Sequence, residues 1–514
     1  MSGGAAPNPA VGTMSDTWEA LLARMREFSD LGHAVALLVW DQETKMPLRG
    51  GDARARQMAT MRVMRHERLV DPKLRELIRR AADEADDPVR SSMVRWLERE
   101  CDRAAKLPLE FVRRLALAEG RGSNAWRVAR EEGDFALYRA ELEELIAAKR
   151  QEADLVGFDG ERYDALLDEY EPGMRVDRLE PMLAELRAEL GTLLEAIVAA
   201  PQPPAPPFAG RLFPDGQQWD LTIRLLGDLG YDMTAGRQDR SAHPFTQTIA
   251  LGDVRVTTRI DERHPLGAVF STIHEAGHGM YEQGFDPAFE DTPLANAPSY
   301  GLHESQSRLW ENIVGRSLAF WQHYAPVMRE MFGDAMAGAT AEDIYRACNR
   351  VQPSLIRVES DEVTYNLHIL IRFELELALM REELEVGELP TAWNDAYERT
   401  LGVRPPNDVL GVMQDIHWSS GSFGYFPTYT LGNLYSSLLW DAYCAGDAAA
   451  EEHIRRGEFH HLLGWLRENV HRHGAIDLGE DMIRRVTGSG LDHRPFMRYL
   501  WTKYAPLYGL QVPS

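Results

Sequence analysis

Two histidines four residues apart, with a glutamate directly after the first, are the strongest chemical signal in the chain. They are His274, Glu275 and His278, within the segment FSTIHEAGHGMYEQG at 270–284. On an α-helix, residues four apart lie on one face, so both imidazoles can bind the same ion. Glu275 points to a neighbouring position, where its carboxylate can accept a proton from a water near that ion. The pattern is typical of zinc peptidases, although a structural helix with two surface histidines would have the same spacing.

A catalytic zinc ion needs a third protein ligand and leaves its fourth position for water. One familiar arrangement would place a histidine at position 284, but the chain has Gly284 there. An acidic ligand from a later helix fits better, and the next predicted helix offers Glu304 and Glu311. Glu282 lies another turn beyond His278, too far along the helix axis to share one ion easily. Spacing leaves Glu304 and Glu311 open as alternatives, of which we favour Glu304.

The elements that would position these residues are mainly helical. The first predicted helix carries an apolar stripe at the three-and-four spacing of an amphipathic helix: Trp18, Leu21, Leu22, Met25 and Phe28. Residues 245–261 instead alternate and are rich in β-branched side chains around a Leu-Gly-Asp turn, which predicts a short β-hairpin. Pro265 then opens the helix that carries the histidine pair.

Composition restricts the class of protein. The 514 residues are 44% hydrophobic, enough for a large core, and the formal net charge of −24 argues against nucleic acid or an anionic membrane as partner. Only three cysteines occur, so neither a disulfide framework nor a thiolate zinc site is expected. Residues 1–16 lack the pattern of a secretory signal and are predicted to be a disordered leader. No apolar stretch is long enough to span a bilayer, and we predict a cytoplasmic protein.

Several short motifs occur in order along the chain. They are LLVWDQETKMP (37–47), HPF (243–245), DVRVT (253–257), HEAGH (274–278), HESQ (303–306), IRVESD (356–361) and GVMQDIHW (411–418). Together they resemble the thermostable carboxypeptidase Taq family of zinc metallocarboxypeptidases over nearly the whole chain after the leader. One small departure is Ser360, where the family has alanine. The resemblance implies His274, His278 and Glu304 as zinc ligands and Glu275 as general base and acid, which leaves Glu311 as a supporting carboxylate.

Substrate-binding candidates follow from the implied reaction, which removes single residues from peptide C-termini. A free α-carboxylate is bound best by the paired N–H groups of an arginine, and the resemblance implies Arg357. The alternative for Arg357 is a salt bridge with Glu359 or Asp361. Arg255 is a second candidate that we expect to be structural. The oxyanion of the tetrahedral intermediate also needs a hydrogen-bond donor, for which the candidates are His417, Tyr425 and His243.

The resemblance also implies a fold and an assembly. We predict a mainly α-helical peptidase with a deep cleft and a small β-sheet near the zinc site, as a single domain over residues 17–514. The N-terminal helices, about 17–199, would roof the cleft, and a proline-rich connection at 200–216 would lead to the catalytic portion at 217–514. The family implies one Zn²⁺ per chain with Co²⁺ as a substitute, peptide substrates with a free C-terminus, broad specificity and a homodimer. The alternative functions are a zinc oligopeptidase that cleaves internal bonds and a non-catalytic, zinc-stabilised interaction protein.

Overall fold

The computed structural model describes residues 15–512, so nearly all of the predicted leader at 1–16 lies outside the described residues. These residues form twenty α-helices and one three-stranded sheet, which confirms the mainly α-helical prediction. The helices are α1 (Asp16–Thr44), α2 (Gly51–Leu69), α3 (Pro72–Asp83), α4 (Pro88–Lys106), α5 (Leu109–Glu132), α6 (Ala136–Val156), α7 (Arg162–Tyr170), α8 (Val176–Ala199), α9 (Asp215–Leu229), α10 (Pro265–Glu282), α11 (Tyr300–Arg308), α12 (Leu318–Phe332), α13 (Ala341–Cys348), α14 (Glu362–Met380), α15 (Leu389–Leu401), α16 (Pro427–Gly446), α17 (Ala450–Arg456), α18 (His460–Asn469), α19 (Gly479–Thr487) and α20 (Arg494–Tyr508). The strands are β1 (Gly236–Arg240), β2 (Thr246–Ala250) and β3 (Asp253–Thr258).

Helix α1 buries its predicted apolar stripe in a small hydrophobic cluster of its own. Trp18, Leu21 and Met25 pack with apolar residues of α3 and α4, and the cluster also takes in Leu294 from the loop after α10. The C-terminal part of α1 reaches the sheet, because the Trp40 ring lies 5.4 Å from the ring just before β2. The N-terminal helices therefore contact the elements that surround the histidine pair. Their role as a roof over a cleft stays a prediction.

The larger hydrophobic core extends from α5 to α20 and includes the fully buried side chains of Trp310, Trp321 and Trp393. The proline-rich connection joins α8 to α9 without helix or strand up to residue 214, as expected for a segment in which prolines remove backbone donors. Its rings Phe208 and Phe213 are buried in this core, so the connection is held against the protein body. Among the described residues, no helix is both long and apolar enough to cross a membrane.

The small sheet confirms the predicted hairpin and adds a strand. Strands β2 and β3 are antiparallel, with Thr246 opposite Val256, and β1 pairs in parallel with β3. The order β1-β3-β2 makes β3 central, where Val254 and Val256 are buried, and leaves β2 at an edge. Strand β1 was not predicted, because its sequence GRQDR has no apolar alternation and no β-branched residue.

Two glycines allow three helices to approach each other at the site. A Cβ atom at Gly277, on α10, would lie 2.6 Å from the Cα atom of Ser307 on α11. A Cβ atom at Gly432, on α16, would lie 2.5 Å from Cγ of Glu304. Both distances are too short for any side chain, so glycine is required for this packing. The glycine within HEAGH thus serves helix packing, and the segment forms a regular helix around it.

Candidate metal centre and active site

Helices α10 and α11 bring three metal-binding side chains together. His274, His278 and Glu304 each offer one ligand atom, and these atoms lie within 4.8 Å of one another. The Oε2 atom of Glu304 is 3.4 Å from Nε2 of His278 and 3.9 Å from Nε2 of His274. The structure places Glu304, rather than Glu311, beside both histidines. Two imidazole nitrogens and one carboxylate oxygen are a donor set of catalytic zinc sites.

Glu311 supports this group from behind His274. Its Oε2 atom is 2.9 Å from Nδ1 of His274, so the imidazole is held with Nε2 towards Glu304. Its Oε1 atom accepts a hydrogen bond of 3.0 Å from Arg316. Glu311 lies on a π-helical segment, Leu309–Val314, that continues α11, and such segments are frequent at functional sites. A carboxylate on the far nitrogen fixes the tautomer of a ligating histidine and makes it a better ligand.

Arg308 fixes the other ligand carboxylate. Its Nε atom donates a 2.7 Å hydrogen bond to Oε1 of Glu304, four residues earlier on the same helix. The guanidinium also lies over the ring of Tyr365, 4.3 Å from its centroid. Because Oε1 is already bound, Oε2 is the oxygen that Glu304 presents to the two histidines.

The charges of these groups set their protonation. Burial alone would lower the pKa of His274, but the carboxylates Glu304 and Glu311 raise that pKa overall. Burial alone would raise the pKa of Glu304, but Arg308 and the histidines hold it well below its usual range. Glu304 is therefore ionised at neutral pH, which is the form that binds a cation.

His278 has different surroundings. Burial lowers the pKa of His278 to about 3, and the neighbouring His303 acts in the same direction. The His303 ring stacks on His278 with centroids 4.2 Å apart, and its Nε2 atom is 2.7 Å from Oε1 of Glu282. His278 is therefore neutral, which leaves a nitrogen lone pair for a metal.

Glu275 lies on the same helix and contacts the edge strand. Its Oε2 atom accepts a 2.6 Å hydrogen bond from Oγ1 of Thr246 on β2, which leaves Oε1 for another partner. Burial raises the pKa of Glu275. A raised carboxyl pKa suits a group that must both accept and release a proton near neutral pH.

Arg357 is buried and has two partners. Its Nε and Nη2 atoms donate to Oδ1 of Asp415 at 3.0 and 2.8 Å, and Nη1 donates to the Tyr365 hydroxyl at 3.1 Å. The alternative pairing with Glu359 or Asp361 is therefore wrong. Asp361 instead caps α14 by accepting backbone N–H bonds at the start of that helix. The Arg357 side chain lies one aromatic ring from Arg308, because the Tyr365 ring is near both guanidinium groups.

His417 and Tyr425 lie together in an aromatic cluster beside α11. Their ring centroids are 5.5 Å apart, and Tyr425 is also 5.5 Å from the ring of Tyr300, the first residue of α11. Nε2 of His417 is 3.3 Å from the hydroxyl of Tyr429. Burial raises the pKa of Tyr425, and the nearby Glu304 carboxylate contributes to the same shift. The structure thus brings these two predicted donors close to the ligand helix.

Arg255 lies on the central strand β3, and His243 lies beside the sheet. His243 is exposed in the loop before β2. Arg255 forms a two-bond ion pair with Asp253 at 2.7 and 2.6 Å and lies over the ring of Trp40. Arg255 has the contacts expected of a structural residue. Among the hydrogen bonds of residues 15–512, none joins either side chain to the three candidate ligands.

Residues 20–504 match the family model of the carboxypeptidase Taq (M32) metallopeptidases. The chain belongs to this family. It is therefore a metallocarboxypeptidase, a peptide hydrolase, and the resemblance of its motifs is confirmed.

The chain is similar to carboxypeptidases from several organisms. Thermostable carboxypeptidase 1 of Thermus thermophilus is 42% identical over 510 residues, which cover 97% of this chain and 100% of that protein. Carboxypeptidase 1 of Bacillus subtilis is 37% identical over 95% of this chain and 97% of its own length. The crystal structure of an M32 carboxypeptidase from Deinococcus radiodurans matches with a TM-score of 0.94 and 41% identity, over 96% of this chain and 100% of that one.

An M32 metallopeptidase implies a metal ion, and the residues present fit one. The donor atoms of His274, His278 and Glu304 converge. Glu311 already binds Nδ1 of His274, and Arg308 already binds Oε1 of Glu304. Three protein donors leave coordination positions for water and substrate.

Several residues around this site were not predicted from the sequence. Thr246, the partner of Glu275, and the Glu282–His303 pair depend on contacts between elements that no local pattern encodes. Arg308 could have been found, because a residue four positions after a carboxylate on a helix faces it.

Proposed function

We propose that the protein is a zinc-dependent carboxypeptidase that releases single residues from the C-termini of peptides, with broad tolerance of their side chains. The observation that carries this proposal is the convergence of His274, His278 and Glu304, with Glu275 on the same helix. Zinc, when bound by the three ligands, would polarise the scissile carbonyl and make a nearby water more acidic. Co²⁺ would serve as a substitute because it accepts the same donors.

Glu275 transfers the proton in this proposal. Its Oε1 atom accepts a proton as the water oxygen forms its bond to the carbonyl carbon. The same carboxyl group then donates that proton to the leaving amine as the C–N bond breaks. Thr246 holds the other oxygen, so the carboxylate is oriented before the substrate arrives.

Arg357 is the proposed anchor for the terminal α-carboxylate. Asp415 accepts the Nε–H and one N–H of Nη2, and Tyr365 accepts one N–H of Nη1. One N–H therefore remains on each terminal nitrogen, and two such groups can bind a carboxylate together. The closeness of Arg357 to Arg308, across the Tyr365 ring, would keep the last residue of the peptide beside the metal ligands.

Two further parts of the site would position the scissile bond. His417 and Tyr425 are the proposed donors to the oxyanion, because they lie in the aromatic cluster beside Tyr300, the first residue of α11. Strand β2 is at the edge of the sheet and contacts Glu275, so an extended peptide could pair with it there. We also expect the active form to be a homodimer.

Mass spectrometry of a peptide digest tests the proposal. A peptide with a free C-terminus should shorten one residue at a time from that end. A peptide of the same sequence with an amidated C-terminus should hardly be cleaved. The Glu275→Gln variant is the control for contaminating peptidases and should leave both peptides intact. Internal fragments, or equal cleavage of the amidated peptide, would favour the oligopeptidase alternative instead.

A further inference from the structure

A second group of metal-binding side chains lies at the turn between α17 and α18. His453, Glu458 and His461 each offer one ligand atom, and these atoms lie within 4.8 Å of one another. Nδ1 of His453 is 2.7 Å from Oε2 of Glu458, and the rings of His453 and His461 have centroids 3.8 Å apart. His453 and Glu458 are half-buried and His461 is exposed, so water can reach the group.

The backbone holds this group in place. The N–H of Glu458 donates to the carbonyl of His453 at 2.9 Å, which is the long bond of a Schellman motif that closes α17. The turn uses Gly457 at a φ of 74°, and the ring of His323 fills the place of a side chain there. The buried Phe459 fixes the start of α18. The relative positions of the ligand atoms are therefore set by the fold of the turn, and not only by mobile surface side chains.

Asp447 completes the arrangement from the far side of His453. Its Oδ2 atom is 3.5 Å from Nε2 of His453, which places a carboxylate charge beside the ring nitrogen that does not contact Glu458. Asp447 is itself fixed, because it accepts hydrogen bonds from the Ala449 N–H at 2.9 Å and from the Tyr443 hydroxyl at 3.3 Å. Asp447 thus lies beside the second nitrogen of His453, as Glu311 lies beside the second nitrogen of His274, but at a longer distance.

We propose that His453, Glu458 and His461 form a second metal site that binds a divalent transition-metal ion such as Zn²⁺. The ion would replace the proton shared by Nδ1 of His453 and Oε2 of Glu458, and water would fill the remaining positions. Two imidazoles and one carboxylate favour Zn²⁺, Co²⁺ or Ni²⁺ over Mg²⁺ and Ca²⁺, which prefer oxygen ligands. The bound ion would tie the end of α17 to the start of α18. None of these three residues belongs to the proposed catalytic site, so this site stands independently of the proposed function.

Calorimetric titration of the chelator-treated full chain with Zn²⁺ tests this site. The wild-type protein should bind a second equivalent in addition to the one at His274, His278 and Glu304. His453→Ala and His461→Ala should each lose the second equivalent and keep the one at His274, His278 and Glu304. Glu304→Gln should weaken binding of the equivalent at His274 and His278 and leave binding at the second site unchanged. This result separates the two sites without measuring activity.

Two matched histidine variants serve as controls. His460→Ala removes an exposed ring whose centroid lies 4.3 Å from that of His461 but which is not a member of the group, and the variant should keep both equivalents. His33→Ala disrupts a third group, Asp30, His33 and Asp291, that offers only one nitrogen, and it should also keep both. A single equivalent in the wild-type protein would overturn the proposal. So would a second equivalent that survives His461→Ala or disappears in either control.

Discussion

Substitution of Glu311 by glutamine should weaken zinc binding although Glu311 is not one of the proposed ligands. In the wild-type protein, Oε2 of Glu311 binds Nδ1 of His274 at 2.9 Å, and Oε1 binds Arg316 at 3.0 Å. Glutamine has nearly the same shape but carries no charge. The variant would therefore keep the space filled while it loses a charge-assisted bond to His274 and leaves the charge of Arg316 unbalanced near the metal.

The size of the effect follows from these contacts. A hydrogen bond to a charged group contributes about 1.5–3 kcal/mol, and loss of such a supporting contact typically costs about 10–100-fold in metal affinity. That range corresponds to roughly 1.4–2.7 kcal/mol. Because the variant also gains one net positive charge beside the cation, we expect the upper part of the range, a rise of about 100-fold in the dissociation constant for Zn²⁺.

Competition with a chelator of known affinity measures this constant at equilibrium. The matched control is Glu362→Gln, which removes another buried carboxylate, paired with Lys503 at 2.7 Å. The control should weaken folding but leave zinc affinity within about 3-fold of the wild type, because Glu362 accepts hydrogen bonds from Lys503 and Tyr504 and not from a candidate ligand. Excess Zn²⁺ should restore most of the peptidase activity of Glu311→Gln. Unchanged affinity in Glu311→Gln, or an equal loss in Glu362→Gln, would refute the supporting role.

The remaining predictions concern Glu275, Arg357 and Glu171. Glu275→Gln should keep zinc affinity and lose at least ~10²-fold in kcat, the scale of general-base catalysis; full activity would exclude the proposed proton transfer. Arg357→Lys should raise KM for peptides with a free C-terminus more than it lowers kcat, with kcat/KM about 10–100-fold lower, because lysine cannot make paired bonds; an unchanged KM would contradict this role. The Glu171 carboxylate accepts the Gly301 N–H at the start of α11. Burial raises the pKa of Glu171 to about 8. Since the folded state then holds this proton more tightly than the unfolded chain, the free energy of unfolding should fall by roughly 2–5 kcal/mol as the pH rises from about 4.5 to about 8. Glu171→Gln should remove this contribution in urea unfolding at both pH values, and an identical slope in the variant would contradict it.

Local patterns predicted the helix and the hairpin around the proposed metal ligands. The four-residue spacing of His274 and His278 and the alternation of 245–261 are short-range signals, and the structure has a helix and a hairpin there. The choice between Glu304 and Glu311 could not come from spacing, because a helix presents residues seven apart on one face. The motif resemblance favoured Glu304, and the approach of α11 to α10 at Gly277 gives the physical reason.

Contacts between distant segments account for what the sequence analysis missed. The partner of Arg357 is Asp415, far along the chain, whereas the alternative predicted from the sequence was a nearby carboxylate, Glu359 or Asp361. Strand β1 forms because β3 offers it a parallel edge, not because its own residues favour a strand. The homodimer, the cytoplasmic location and the breadth of specificity stay predictions.

Anomalous diffraction at the zinc edge, from crystals of the zinc-loaded protein, tests the central claim most directly. The account predicts a peak bonded to Nε2 of His274, Nε2 of His278 and Oε2 of Glu304, at about 2.0–2.2 Å from each. A peak bonded to Glu311 in place of Glu304, or the absence of zinc between the two histidines, would contradict it.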